Sequence, residues 1–129
     1  MSAAGAHTED LEDIRLHLDA AGTTTPAGAT ELVVDLVIGA SSLSWVEQNG
    51  RHAVTLDVAV FCADSRERII GETWKRATLK LSADTYEAAL KDGLRYGVRV
   101  GVKGTPAFVK AIVYDYGTDS LGSRMKRLK

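Results

Sequence analysis

Alternation of apolar and polar residues recurs along this chain and is most regular between His52 and Cys62. One parity of that stretch is apolar: Val54, Leu56, Val58, Val60 and Cys62. The other parity is mixed: Ala53, Thr55, Asp57, Ala59 and Phe61. A β-strand places alternate side chains on opposite faces of its sheet, so this pattern predicts a half-buried strand. The segments 14–19 and 94–102 alternate in the same way.

Further extended segments fill most of the remaining chain. Glu31 to Gly39 is β-branched and apolar on both faces, which favours a central position in a sheet. Ala21 to Thr30, rich in glycine and threonine with one proline, is expected to be a loop. Ser41 and Ser42 interrupt the extended pattern. The pattern resumes over 43–47, and further strands are predicted over 68–81, 107–116 and 121–128.

Turn and helix signals lie between these strands. Asn49-Gly50 predicts a tight hairpin turn, because both residues accept positive φ. Gly71, inside the segment 68–81, indicates a bulge or a switch of sheets. Ser82 is a candidate N-cap for one short helix over 83–92, which Gly93 closes. The apolar stripe of that helix consists of Tyr86, Ala89 and Leu90.

About seven strands with short turns and a single helix predict an all-β fold, an antiparallel immunoglobulin-like β-sandwich. The 129 residues suffice for one domain, which we place over residues 11–129. Residues 1–10 are small, polar and acidic, and we expect them to form a frayed arm. The two cysteines and core tryptophan of antibody domains are absent, so the likeness concerns architecture only.

Charge and composition exclude several function classes. The net charge of -1 gives no indication of a basic face for nucleic acid. The sequence contains no run of about 18 apolar residues, so it does not predict membrane insertion. The basic residues near the C-terminus are expected to be solvated. A single cysteine, Cys62, excludes an internal disulfide framework and a multi-cysteine zinc site. A homo-oligomer remains possible.

Catalytic and metal-binding motifs are absent from the sequence. His7, His17 and His52 show no paired ligand spacing, and neither a nucleophile elbow nor a nucleotide-binding glycine loop occurs. Cys62 ends a strand with no helix after it and is expected to be a core residue. Asp115 and Asp119 flank a turn that could chelate calcium, but acidic residues are ordinary in turns. We therefore predict no enzyme activity, no metal and no cofactor.

Aromatic residues on the predicted strands are the candidate contact residues. Alternation places Trp74 on a polar face with Glu72 and Arg76, where an exposed tryptophan would mark a contact site. A bulge near Gly71 would instead reverse the register and bury Trp74, and burial is the preferred interpretation. The possible surface contacts are Trp74, Tyr114 and Tyr116.

Five stretches together resemble a known family: residues 44–61, 79–87, 92–96, 113–117 and 121–123. They are similar to the C-terminal β-rich region of acidobacterial proteins called VWFA-related, in which this region follows an exported von Willebrand factor A domain. The resemblance implies an accessory module with an extracytoplasmic location. The Asp-x-Ser-x-Ser motif of a von Willebrand A domain is missing, so metal-dependent adhesion is not implied for any residue here.

Three functional hypotheses follow. The first is a non-enzymatic interaction or spacer module that contacts a protein partner or a neighbouring domain through its surface. The second is a carbohydrate-binding sandwich that presents aromatic side chains on one sheet face. The third is an enzyme, which would need a deep pocket with several titratable groups.

Overall fold

The computed structural model of the protein describes residues 14–24 and 30–128. Strands dominate these residues, together with one α-helix and a short 3-10 helix at Ala40–Ser42. The elements are β1 Leu16–Thr24, β2 Thr30–Ile38, β3 Val46–Gln48, β4 Arg51–Ala63, β5 Ile69–Leu81, α1 Ala83–Asp92, β6 Leu94–Gly101, β7 Phe108–Asp115 and β8 Ser120–Arg127. The frayed arm predicted over residues 1–10 falls outside the described part of the chain.

The strands form two antiparallel sheets. The small sheet has the order β1-β2-β6, and the large sheet contains β3, β4, β5, β7 and β8. Strand β5 lies on one side of β4. Strand β7 lies on the other side of β4, and the short β3 lies on that same side, beyond the end of β7. Both must be opposite β5, because β5 pairs with residues of β4 with which they also pair. The predicted all-β, antiparallel sandwich is confirmed, and β2 is central in its sheet as expected.

One boundary of the prediction is wrong, and the strand count differs slightly. Eight strands lie in the described residues, against about seven expected, because the interruption at Ser41 and Ser42 separates β2 from β3, which belong to different sheets. The predicted loop from Ala21 also begins too early, since β1 continues to Thr24. Backbone pairing of Ala21 with Val33 and of Gly22 with Leu32 holds these weak strand formers in place.

The core lies between the inward faces of the two sheets. Alternate residues of each strand supply it, among them Leu36 of β2, Val60 of β4, Val100 of β6 and Val113 of β7, all at most 1% exposed. Full burial of such an aliphatic side chain stabilises the fold by about 1.5–3 kcal/mol. Cys62 is fully buried among them, which confirms its predicted role, and desolvation raises the pKa of its thiol.

The predicted turn and helix are both confirmed. Asn49 and Gly50 have φ values of 50° and 77°, as a tight hairpin turn requires. The helix begins after Ser82, whose hydroxyl accepts a hydrogen bond from the Thr85 amide. Of the predicted apolar stripe, Ala89 is buried and Tyr86 partly buried, but Leu90 is 40% exposed because the short helix covers only the end of the sandwich.

The two sheets contact each other at both lateral sides of the sandwich. On one side, Arg124 Nε donates to the Leu16 carbonyl at 3.1 Å. On the other side, the Lys103 amide donates to the Ile70 carbonyl at 2.9 Å. A Cβ at Gly71 would lie 2.4 Å from the Gly101 carbonyl oxygen, so only glycine permits this approach of β5 to β6.

Candidate interaction surface

The outward face of the large sheet collects the aromatic residues singled out in the sequence. Cross-strand pairing fixes which side chains share it, since directly opposed residues point to the same side. We call this surface the aromatic face and define it by these residues: Glu72, Trp74 and Arg76 of β5, Asp57, Ala59 and Phe61 of β4, Lys110, Ile112 and Tyr114 of β7, Leu121, Ser123 and Met125 of β8, and Tyr116 just after β7. All three predicted contact residues therefore lie on one surface.

Trp74 is 64% exposed on this face, so the preferred prediction that it would be buried is wrong. The expected bulge does exist, because the pairing of β5 with β4 shifts between Cys62 and Ala63, opposite Gly71 and Ile69. It precedes Trp74, and from Gly71 onward the register is regular. Trp74 consequently opposes Ala59 and points away from the core.

The centre of the aromatic face is packed rather than solvated. Ala59 and Ile112 are buried there and form a small apolar cluster separate from the main core. Phe61 and Leu121 pack against it and are partly exposed. The aromatic face thus has its own apolar base, which fixes the positions of the side chains above it.

A hydrogen-bonded network lies beside Trp74. The Asp57 side chain is only 3% exposed and accepts hydrogen bonds from the Tyr116 hydroxyl and, at 3.4 Å, from Arg76 Nε. Arg76 Nη2 donates to the Tyr116 hydroxyl at 2.6 Å, and its guanidinium lies 4.7 Å from the centre of the Tyr116 ring. These contacts, chiefly the hydrogen bond with Tyr116, raise the pKa of Arg76. A buried carboxylate thereby gains both a positive partner and a hydroxyl donor.

Tyr114 extends the network toward the β7–β8 turn. Its ring meets that of Tyr116 edge to face, with centroids 5.0 Å apart and planes at 82°. Its hydroxyl donates to Asp119, and this hydrogen bond is the main cause that raises the pKa of Tyr114. The two tyrosines therefore do not form a flat surface.

The aspartates considered for calcium serve different partners. Asp115 lies on the inward face, fully buried, and accepts from the Ser44 amide at 2.6 Å, the Ser44 hydroxyl at 2.5 Å and the Gly117 amide at 3.0 Å. Asp119 accepts from Tyr114 instead. Within residues 14–24 and 30–128, no three histidine, cysteine or acidic side chains are grouped so that they could hold a metal ion. The absence of metal stays a prediction.

The histidines do not converge. His17 is exposed and lies 3.2 Å from Asp19, whereas His52 stacks on Tyr86 with ring centroids 3.7 Å apart. Trp45 meets Tyr86 edge to face and donates its indole N–H to the Ala40 carbonyl. His52, Trp45 and Tyr86 therefore anchor α1 to the end of the sandwich. His7 lies outside the described residues.

A groove of about 380 Å³ opens between β5 and β6, on the lateral side of the sandwich. Its lining consists of Val33, Lys75, Tyr96, Gly97, Val98 and Arg99. This lining contains no serine, cysteine, histidine or carboxylate, and its polar side chains are those of Lys75, Tyr96 and Arg99.

Asp57, Arg76 and Ser44 were not singled out in the sequence. Asp57 sits among the outward residues of β4, where a solvated carboxylate is ordinary. One signal was present: its neighbours of the same parity, Ala59 and Phe61, are not polar, so a solvated face was already doubtful there.

No protein-family model matches the chain, no curated protein is significantly similar to it, and no solved structure matches its fold significantly. In the part of the chain that the structure describes, no helix combines the length and apolar character needed to cross a membrane.

Proposed function

We propose that the domain is a non-enzymatic interaction module that contacts a protein partner or a neighbouring domain through its aromatic face. The observation that carries this proposal is the 64% exposure of Trp74 on a regularly paired strand. Tryptophan, tyrosine and arginine are the residues that most often dominate binding at protein interfaces. Trp74, Tyr116 and Arg76 supply all three types within one surface.

Pre-organisation supports the same proposal. Arg76 and Tyr116 are exposed, yet each is held by a hydrogen bond to buried Asp57. Side chains that are fixed before binding lose less conformational freedom when a partner arrives. A fixed arginine and tyrosine beside an exposed indole therefore suit a contact surface.

The geometry favours a polypeptide over a sugar as the ligand. A carbohydrate site would need exposed aromatic rings with polar groups available beside them. Tyr114 and Tyr116 are nearly perpendicular, and the Asp57 carboxylate on the same face already accepts bonds from Arg76 and Tyr116. Carbohydrate binding is therefore an outcome that the experiment must distinguish.

The resemblance to VWFA-related proteins supplies the proposed context. We place the domain as the accessory module of an exported protein of that kind, where it would join or space other parts of the assembly.

Site-specific photo-cross-linking in cells of the source organism tests the proposal. A photoreactive amino acid replaces Thr78, which is exposed on the outward side of β5, two residues from Arg76. The matched control replaces Asp35, which is exposed on the outward side of β2 in the small sheet. We expect a polypeptide adduct from position 78, its loss in Trp74→Ala, and no such adduct from position 35.

Two results would overturn the proposal. One is the same adduct pattern from positions 78 and 35, or no polypeptide adduct from either. The other is saturable binding on a glycan array that Trp74→Ala abolishes, which would establish the sugar-binding alternative instead.

A further inference from the structure

We infer that the open edge of β5 receives an acidic, extended segment of the partner as an additional strand of the large sheet, beside Trp74. This inference rests on the proposed function, because Trp74 and Arg76 belong to the aromatic face. It adds the chemistry of the partner and the way in which it binds.

One edge of β5 is unpaired along most of its length. The strand has 13 residues and pairs with β4 on one side. On the other side, the Ile70 carbonyl accepts from the Lys103 amide, and Gly71 approaches Gly101. From residue 73 to 81, no described strand pairs with this edge. Such an edge presents backbone N–H and C=O groups that a partner strand can pair with.

The charge of β5 selects the occupant. Lys75, Arg76 and Lys80 are exposed on this strand, and Glu72 is its only carboxylate. The nearby Asp57 carboxylate is buried and already accepts bonds from Arg76 and Tyr116. A segment rich in glutamate or aspartate would place opposite charges beside these cations, which stabilises cross-strand pairs.

The same charges argue against a second copy of β5 as the occupant. Two copies would bring three cations and one carboxylate each to the same pair of strands, so net repulsion opposes their pairing. Lys75 adds to this repulsion. It is paired with the core residue Val58, so its side chain points to the inward face of the sheet at the edge. Inward-pointing charges on edge strands resist pairing between identical chains. An acidic strand converts the repulsion into attraction.

Trp74 adds a position-specific requirement. The partner residue directly opposite Trp74 would point to the aromatic face, next to the exposed indole. An apolar residue suits that position, while acidic residues suit those opposite Lys75 and Arg76. The expected recognition pattern is therefore an extended segment in which one apolar residue, opposite Trp74, is adjacent to two consecutive carboxylates, opposite Lys75 and Arg76.

Peptide titration of the isotope-labelled full chain tests the inference by NMR. The probe is an acidic peptide of about nine residues, designed to pair antiparallel with residues 73–81, with leucine opposite Trp74 and glutamate opposite Lys75, Arg76 and Lys80. One control has lysine in place of every glutamate, and another acidic control carries two central prolines, which cannot donate to a strand ladder. We expect amide shifts concentrated in residues 72–81 and roughly tenfold weaker binding of both controls.

Charge-reversal variants sharpen the result. Lys75→Glu combined with Lys80→Glu should abolish the preference for the acidic peptide and favour the lysine peptide. The matched control is Lys91→Glu combined with Arg95→Glu, which makes the same change of charge on exposed residues of α1 and β6. We expect this control to keep the preference for the acidic peptide.

Equal binding of the lysine peptide, or shifts confined to other strands, would overturn the inference. So would a dimer in sedimentation experiments whose interface includes β5, since the occupant would then be a second copy. If the acidic peptide fails while position 78 still gives a Trp74-dependent adduct, the inference is wrong and the proposed function stands. If neither experiment detects a polypeptide at β5, both are wrong.

Discussion

The outward faces of the two sheets differ sharply in what they bury. On the small sheet, β6 presents exposed Arg95, Gly97, Arg99 and Gly101, and Arg99 forms an ion pair with Glu31 at 3.0 Å. On the large sheet, the corresponding surface buries Ile112 completely and Asp57 almost completely. One outward face is thus mostly solvated, whereas the other contains a packed apolar cluster and a buried carboxylate.

This difference shows that the aromatic face is packed in a way that the core alone does not require. Both sheets bury alternate aliphatic side chains on their inward faces. Packing of the core therefore does not explain why their outward faces differ. On the small sheet the charged side chains lie at the surface, where solvation and an ion pair of Arg99 with Glu31 account for them. A buried carboxylate is costly unless it is paired, and Asp57 is paired only with residues of its own face. A buried polar network therefore lies on the outside of the large sheet, whereas the small sheet carries a surface ion pair there.

The largest expected effect comes from truncating the packed centre of that face. Ile112→Ala should destabilise the protein by about 2–5 kcal/mol, because it leaves a cavity among Ala59, Phe61 and Leu121. Val37→Ala, on the outward side of the small sheet and half-buried, should cost less than half as much. Urea denaturation measures both. Equal losses would show that the two outward faces are packed alike.

Removing the buried carboxylate should have the next largest effect. Asp57→Ala leaves Arg76 and Tyr116 without their shared acceptor, and we expect a loss of about 1–3 kcal/mol in the free energy of unfolding. The matched variant Asp35→Ala removes an exposed carboxylate from β2 and should stay within about 0.5 kcal/mol of the parent. A harmless Asp57→Ala would mean that the network does not order this face.

Trp74→Ala should change stability by less than about 1 kcal/mol, because most of the indole already contacts solvent. Thermal denaturation followed by circular dichroism is the measurement. A loss above about 2 kcal/mol would assign Trp74 a structural role and would weaken its use as a binding probe.

The smallest effect concerns pH. The hydrogen bond to Asp119 raises the pKa of Tyr114, so the protonated phenol is favoured in the fold. This contribution is complete below about pH 10, where an unfolded tyrosine ionises, and it is lost as the pH rises through the folded pKa. Near-ultraviolet absorbance titration of the parent should show a late-ionising tyrosine, which we assign to Tyr114. In Asp119→Asn that tyrosine should ionise earlier, and an unchanged titration would contradict the assignment.

Local periodicity predicted most of the fold. The strand over His52 to Cys62 and the capped helix over 83–92 could be predicted from the sequence, because the pattern of neighbouring residues determines each of them. The exposure of Trp74 depended on where a bulge falls relative to β4, which alternation does not specify. The burial of Asp57 requires β5 and β7 to approach β4 from opposite sides. The sequence therefore identified Trp74, Tyr114 and Tyr116 as contact residues, but it did not predict the hydrogen-bonded network around Asp57, which depends on this long-range pairing.

The contact between β1 and β8 has a mechanical consequence. Ile14 lies against Gly122, Leu16 accepts from Arg124, and Asp19 pairs with Lys126 at 2.7 Å, so the two strands run side by side in the same direction. The start of β1 and the end of β8 consequently lie at opposite ends of the sandwich. A force pulling on these two points would load the three contacts in shear, all at once. The domain should therefore resist stretching better than a sandwich whose terminal strands peel apart one contact at a time.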